Sequence, residues 1–157
     1  MSSIFSKITK TNEQDPPRLF EVWESSVRAS HFFLTEADIQ RLIPLVKAEL
    51  ASFSPIYCLR EADGRPFAML GVEGSKIEML FVHANNRGNG AGRLLIKFAI
   101  QRLHADSVDV NEQNELAIGF YQHLGFRQIG RAPSDPSDPF PILHMALQPN
   151  RPPGPDY

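Results

Sequence analysis

Cysteine is nearly absent from this sequence. Cys58 is the only one in 157 residues, so no internal disulfide can form and a reducing, cytoplasmic setting is expected. Long apolar runs are also missing. No segment reaches the roughly 18 consecutive apolar residues of a membrane-spanning helix. The opening MSSIFSKITK has no apolar stretch of roughly 7–15 residues, the mark of a signal peptide. Neither sign of charge is in excess: 16 Lys and Arg stand against 18 Asp and Glu, a formal net charge of −2. That excludes the basic footprint of a general nucleic-acid binder and polybasic attraction to an anionic membrane. The five histidines and one cysteine show no zinc spacing, so no metal is expected. What remains is ordinary for a folded domain: 42% hydrophobic and 22% charged residues, close to the globular average. A chain of this size buries roughly 68–70% of its unfolded surface, enough for a core without staples.

Hydrophobic periodicity divides the chain. Residues 3–9 predict a short strand, with Ile4 and Ile8 on one face and Phe5 on the other. Pro17 suits a first helical turn, and Leu19, Trp23, Val27 and Ser30 or His31 recur at helical spacing to about Ser30. Thr35, with Asp38 three residues on, predicts the N-cap of a second helix. That helix carries Ile39, Leu42, Ile43, Val46 and Leu50, and Pro44 is expected to kink or split it. Residues 56–61, 66–73 and 76–83 read as strands, joined by turns at Asp63-Gly64 and Gly74-Ser75. A helix is expected from about Gly90 to His104, with Leu94, Leu95, Phe98 and Leu103 buried. Then come a strand at 107–111, a helix at 114–124 ended by Gly125, and strands at 126–131 and 140–147. No repeat or linker interrupts residues 1–148, which predict one domain. Residues 149–157 form a proline-rich tail.

One stretch stands apart: Val82-His83-Ala84-Asn85-Asn86-Arg87-Gly88-Asn89-Gly90-Ala91-Gly92-Arg93. Three alternating glycines let the backbone approach a ligand and point successive N–H groups one way. The helix behind them adds unsatisfied amides and a positive dipole end. Together these predict an anion site, most naturally for phosphate, with Arg87, Arg93 and Lys97 adding positive charge. A P-loop needs Gly-Lys-Ser/Thr, but Arg93 and Leu94 follow Gly92. The dinucleotide pattern Gly-x-Gly-x-x-Gly also fails, ending on Arg93 from Gly88 and on Leu95 from Gly90.

At these residues the sequence resembles the GNAT superfamily of N-acetyltransferases. Its signature, Arg/Gln-x-x-Gly-x-Gly/Ala after a strand ending in Val, matches Arg87-Gly88-Asn89-Gly90-Ala91-Gly92 and Val82. The proline usual two residues after that valine is Ala84 here. A second motif of the family matches Asn114, Ala117, Phe120-Tyr121 and Gly125-Phe126. Two further stretches resemble a branch of small bacterial members. One comprises Val22-Trp23, Ser26-Val27, Ser30-His31 and Leu34; the other Gly130-Arg131, Asp135, Pro139-Phe140-Pro141 and His144-Met145. The resemblance covers nearly the whole chain. It implies an α+β fold: a mixed, mostly antiparallel sheet of about seven strands, helices on both faces, and a splay between the fourth and fifth strands. It further implies that acetyl-CoA enters the splay as co-substrate. The pyrophosphate would lie on amides from Arg87 through Gly88, Asn89, Gly90, Ala91 and Gly92 to Arg93. The pantetheine arm would pair with the backbone of Leu80, Phe81 and Val82, and an amide near Phe81 or Val82 would meet the thioester oxygen. Asn114 and Ala117 would border the cofactor. The amine attacks directly, so no nucleophilic residue is needed, and Cys58 reads as a packing residue.

The resemblance makes Tyr121 the acid that meets the leaving thiolate; without it, the stripe Ala117, Phe120, Leu124 would read Tyr121 as core. A phenol of pKa about 10 facing a thiol of about 8.5 makes full proton transfer uphill by about 2 kcal/mol, so a hydrogen bond suffices. Glu78, expected on the same strand face as Leu80, is a candidate base or a solvated strand residue. His31 is a candidate base or a helix C-cap. Asp135 and Asp138 either attract a cationic amine or are solvated loop residues. The leading expectation is an acetyl-CoA-dependent N-acetyltransferase acting on a primary amine, small molecule or protein, as monomer or homodimer. Its rivals are a non-catalytic acyl-CoA sensor on the same fold and an unrelated nucleotide-phosphate binder.

Overall fold

The computed structural model describes residues 3–134 and 140–148. In chain order these form β1 (Thr9–Lys10), α1 (Pro16–Ser30), α2 (Glu36–Ser52), β2 (Ile56–Arg60), β3 (Pro66–Glu73), β4 (Lys76–Val82), α3 (Ala91–Arg102), β5 (Ser107–Asn111), α4 (Glu115–His123), β6 (Phe126–Ala132) and β7 (Ile142–Leu147), with a 3₁₀ turn at Ala84–Asn86. The seven strands make one sheet in the order β1-β2-β3-β4-β5-β7-β6. Every pairing is antiparallel except β4 with β5. No described helix is long and apolar enough to cross a membrane.

The expected helices on both faces follow from strand alternation. On β3, Met69 packs in one cluster with Leu19, Val22, Trp23 and Val27 of α1 and Leu50 of α2. Its neighbours Ala68 and Leu70 belong to the other cluster, with Leu95, Ile96 and Ala99 of α3 and Tyr121 of α4. On β4 the alternation breaks. Gly71 opposes Met79 but Val72 opposes Ile77, so Glu78 is an extra residue, a β-bulge. Ile77 therefore packs toward α3 and Met79 toward α1, although residues two apart normally share a face. This corrects the expected position of Glu78. Leu80 packs toward α3, whereas Glu78 borders a small cavity of about 90 Å³ with Trp23, Val46 and Glu49.

The N-terminus also differs from the sequence reading. Instead of a strand over 3–9, two turns form, closed by Ser6 N–H to Ser3 O at 3.1 Å and Ile8 N–H to Phe5 O at 3.0 Å. Phe5 anchors them by packing edge-on against Phe98 at 5.5 Å, and Ile4 is left exposed. Only Thr9 and Lys10 join the sheet, opposite Cys58 and Tyr57. Cys58 is fully buried, as a packing residue should be.

The capping box forms as expected: Asp38 N–H donates to Thr35 Oγ1 at 3.1 Å and Thr35 N–H to Asp38 Oδ2 at 2.9 Å. The break at Pro44 does not occur, and α2 continues to Ser52. Pro44 lies on the exposed side, where water serves the carbonyl that its missing N–H leaves unpaired. On α3 the buried stripe is Ala91, Leu95, Ile96 and Ala99, with Leu94, Phe98 and Leu103 half-buried. An ion pair between half-buried Arg60 and buried Asp15 ties the start of α1 to β2. Arg60 donates Nη1 to Asp15 Oδ1 at 3.1 Å and Nη2 to Oδ2 at 2.7 Å, and Asn12 N–H adds a bond of 2.8 Å to Oδ2.

Candidate active site

The parallel pair β4·β5 is short. Lys76 opposes Ser107 and Ile77 opposes Val108, and there the register ends. Beyond it, Met79 to Val82 keep their partners on β3, and Asp109 to Asn111 keep theirs on β7. The strands part, as expected, and a cleft of about 470 Å³ opens between them. Leu80, Phe81 and Val82 line one side; Val110 and Asn111 line the other. In an antiparallel ladder backbone groups alternate in direction, so part of the β4 backbone faces this opening.

The glycine loop ends at the cleft. Gly88 and Gly90 have φ of 81° and 87°, a left-handed geometry that excludes most side chains. Asn89 Oδ1 accepts from Ala91 N–H at 3.3 Å, and the helix ladder starts with Leu94 N–H to Gly90 O at 3.0 Å. The amides of Gly88, Asn89, Gly90, Gly92 and Arg93 make no hydrogen bond among the described residues. Five free donors at one helix N-terminus are what an anion requires. At Gly92 the backbone is ordinary helix, and a Cβ there would make ordinary contacts, 3.5 Å from Phe120 Cζ and 3.9 Å from Val82 Cγ2, where α3, α4 and β4 meet at the cleft. Ala91 turns its side chain into the core and Arg93 is exposed. Two bonds fasten this loop to α1: Ala84 N–H to Ser25 Oγ at 3.0 Å and Arg87 Nη1 to Ala29 O at 3.4 Å.

The opposite wall comes from α4 and the end of α1. Asn114 is the N-cap of α4, its Oδ1 accepting from Ala117 N–H at 3.1 Å. Thus the Asn-x-x-Ala part of the second motif is a helix cap. Two turns on, Tyr121 is buried, with edge-to-face contacts to Phe120 at 5.1 Å and Phe126 at 5.5 Å. Its ring lines the cleft, and its hydroxyl makes no hydrogen bond among the described residues. Burial pushes the phenol well above its usual range, so it keeps its proton and is free to donate a hydrogen bond to a ligand. His31 caps the C-terminus of α1, its N–H reaching Val27 O at 2.8 Å. Its ring lies 2.9 Å from Ser30 Oγ through Nδ1 and 3.3 Å from Asn114 Nδ2 through Nε2. Burial, reinforced by the nearby Arg87 charge, lowers its pKa.

Glu78 lines the same cleft and lies 3.6 Å from Lys76 Nζ. Lys76 also pairs with Asp109 at 2.6 Å, and Asp109 accepts from His144 Nδ1 at 2.7 Å. Burial works against the Asp109 carboxylate, but Lys76 and His144 hold its pKa below the usual value. Glu49 on α2 is pushed up by burial and by the charges of Glu78 and Glu73. Sequence reasoning missed Asp109 and Glu49, and named His144 only as part of a family resemblance, without its pairing to Asp109. The alternation Val108-Asp109-Val110 was the available signal for the first, since it turns Asp109 away from the α3 core. Asp135 and Asp138 lie outside the described residues, as does the 149–157 tail.

Comparison with known proteins agrees with this geometry. Residues 57–148 match the acetyltransferase (GNAT) domain family. The chain is 31% identical over 140 residues to the peptidyl-lysine N-acetyltransferase YjaB of Escherichia coli, an alignment covering 88% of this chain and 95% of that protein. The solution structure of apo YjaB superposes with a TM-score of 0.80 over 89% of this chain and 95% of the other. The PaiA N-acetyltransferase of Thermoplasma acidophilum, crystallised with coenzyme A, shares the fold at 18% identity with a TM-score of 0.67, covering 90% of this chain and 98% of that one. By its splayed sheet, its glycine loop and these relationships, the chain belongs to the GNAT family of acetyltransferases and is an acyltransferase.

Proposed function

We propose that this protein moves the acetyl group of acetyl-CoA onto the ε-amine of a lysine in a protein or peptide, in the cytoplasm, by direct attack of the amine. The observation that carries the reading is a glycine loop with five unpaired amides that reaches the cleft at Arg87 and Gly92, together with a Tyr121 in that cleft whose hydroxyl has no partner among the described residues. The donors fit a pyrophosphate, and the splay fits an extended pantetheine chain. Lysine as acceptor rests on the activity named for YjaB, and coenzyme A on the ligand of PaiA.

In this mechanism the amides from Arg87 to Arg93 hold the phosphates. The backbone of Leu80 to Val82 pairs with the pantetheine arm as a missing strand would. An amide near Phe81 or Val82 donates to the thioester oxygen, a bond that strengthens as negative charge develops there. Glu78 receives the proton of the incoming ammonium, directly or through water. Tyr121 donates a hydrogen bond from its hydroxyl to the departing thiolate. Asn114 and Ala117 border the far wall.

The test is a mass-spectrometric screen of purified protein and acetyl-CoA against lysine peptides, N-terminal amines and small amines. Acetylation confined to lysine side chains is the expected outcome. Transfer only to small amines would overturn the acceptor assignment. Tight acetyl-CoA binding with no transfer to any amine would make the protein an acyl-CoA sensor.

A further inference from the structure

His31 and Asn114 are 83 residues apart and meet across the cleft. Their bond has a determined polarity. Asn114 Oδ1 is taken by Ala117 N–H, so the end of the carboxamide that faces His31 is the NH₂ group, a donor only. His31 Nε2 must then accept, which requires a neutral ring with its proton on Nδ1. That proton has an acceptor. Ser30 Oγ lies 2.9 Å from Nδ1 and gives its own hydrogen to Ser26 O at 2.8 Å. Each donor in the chain from Ala117 to Ser26 finds one acceptor, and the opposite tautomer would set two N–H groups against each other. The lone pair of Nε2 is therefore occupied and closed to an incoming ammonium.

We propose that His31 is a positioning residue and not the base: its neutral ring, protonated at Nδ1, grips the capping carboxamide of Asn114 and fixes α4, with Tyr121 two turns along it, to the last turn of α1. The assignment of Tyr121 to the thiolate is that of the proposed function, on which this inference rests. The same turn of α1 also holds the glycine loop, through Ala29 and Ser25. One helix end thus registers both walls of the cleft. A proton on Nε2 would break the grip. The charged and titratable groups that share the cleft with the ring are Arg87 from the loop, Glu78 on β4, Asp109 on β5 and Tyr121 on α4, and Phe33 packs against the ring at a tilt, centroids 5.5 Å apart. Arg87 is the one whose charge shifts the His31 equilibrium, and it favours the neutral ring.

The experiment has one arm on the protein alone and one on turnover. Two-bond ¹H–¹⁵N spectra of the full chain at pH 7 are expected to show His31 neutral with Nδ1 protonated. In His31→Ala the Ala117 amide should exchange with solvent several-fold faster. An Nε2-protonated or doubly protonated ring at pH 7, or unchanged Ala117 exchange, would overturn the proposal whether or not any amine is acetylated. On the acceptor found by the screen, His31→Ala should lower kcat about 10- to 100-fold, the usual cost of misplacing a reacting group. His31→Gln, whose Oε1 can accept from Asn114, should stay within about 3-fold of wild type, the range expected where general catalysis is not lost. Wild-type kcat should fall as pH drops below the ordinary imidazole range, and His31→Gln should lack that fall. A Gln variant as impaired as the Ala variant would make His31 the base.

Discussion

The two walls of the cleft are built differently. The wall at the glycine loop is backbone: free amides, two left-handed glycines and a helix N-terminus. The facing wall is side chain, a line of hydrogen bonds from Ser26 through Ser30, His31 and Asn114 to Ala117. A backbone wall is indifferent to which side chains surround it, provided that none intrudes. A side-chain wall depends on the identity of every member. The first is therefore broken by adding atoms and the second by removing them.

Gly92→Asp should have the largest effect. It adds a carboxylate between Phe120 and Val82, beside the free amides, on ordinary helical backbone. Calorimetry should show acetyl-CoA affinity reduced at least roughly 100-fold, about 2.7 kcal/mol, in a folded protein. Unchanged affinity would remove the phosphates from this loop. Tyr121→Phe tests the other wall by deleting one oxygen. Because burial raises the phenol pKa further from that of a thiol, the loss in kcat should sit at the low end for general acids, roughly 10- to 100-fold. Acetyl-CoA affinity and Tm should hardly move. Full activity would return Tyr121 to the core, and a large fall in Tm would give its hydroxyl a structural partner.

Glu78→Gln should cost less, about 10-fold in kcat at neutral pH, since Glu78 is exposed and water can substitute. The loss should shrink as pH rises and the acceptor arrives neutral; a pH-independent loss would contradict a base. Asp15→Asn lies outside both walls and should leave kcat at 25 °C unchanged. It removes the charge that Arg60 grips, at a cost of about 1.5–3 kcal/mol in urea unfolding. The Arg60 hydrogen bonds depress the Asp15 pKa in the folded state. Their contribution is complete above the unfolded carboxyl pKa of about 4 and is lost as pH falls through the lower folded value. The stabilities of wild type and variant should therefore converge in acid.

The same contrast explains what could be read from the sequence. Gly88, Gly90 and the helix that follows announce a backbone wall because glycine spacing is local. Strands β2 to β5 and the Thr35 cap were legible for the same reason: each depends on residues a few positions apart. The His31–Asn114 bond joins two elements that no local pattern relates. The bulge at Glu78 was hidden because a run such as Lys76-Ile77-Glu78-Met79-Leu80 satisfies plain alternation, and only pairing with Gly71 and Val72 shows that one residue is extra. Phe5 misled because Ile4 and Ile8 on one face and Phe5 on the other read as a short strand until the Phe5 ring finds Phe98.

The short join between β4 and β5 makes the sheet two leaves on a hinge. One leaf is β1 to β4 and the other β5, β7 and β6, and among the described residues the join in the plane of the sheet is confined to one end: two register pairs, the bonds from Asp106 and Ser107 to Ser75 O, and the Lys76–Asp109 bridge. A sheet is ordinarily stiffest at its middle strands and softest at its rim. Here the soft line runs through the centre, and an extended substrate laid into it would act as the absent eighth strand, welding the leaves into one plate. Affinity would then be drawn partly from the stiffening of the fold itself, and the angle between the leaves would set how long a substrate stays.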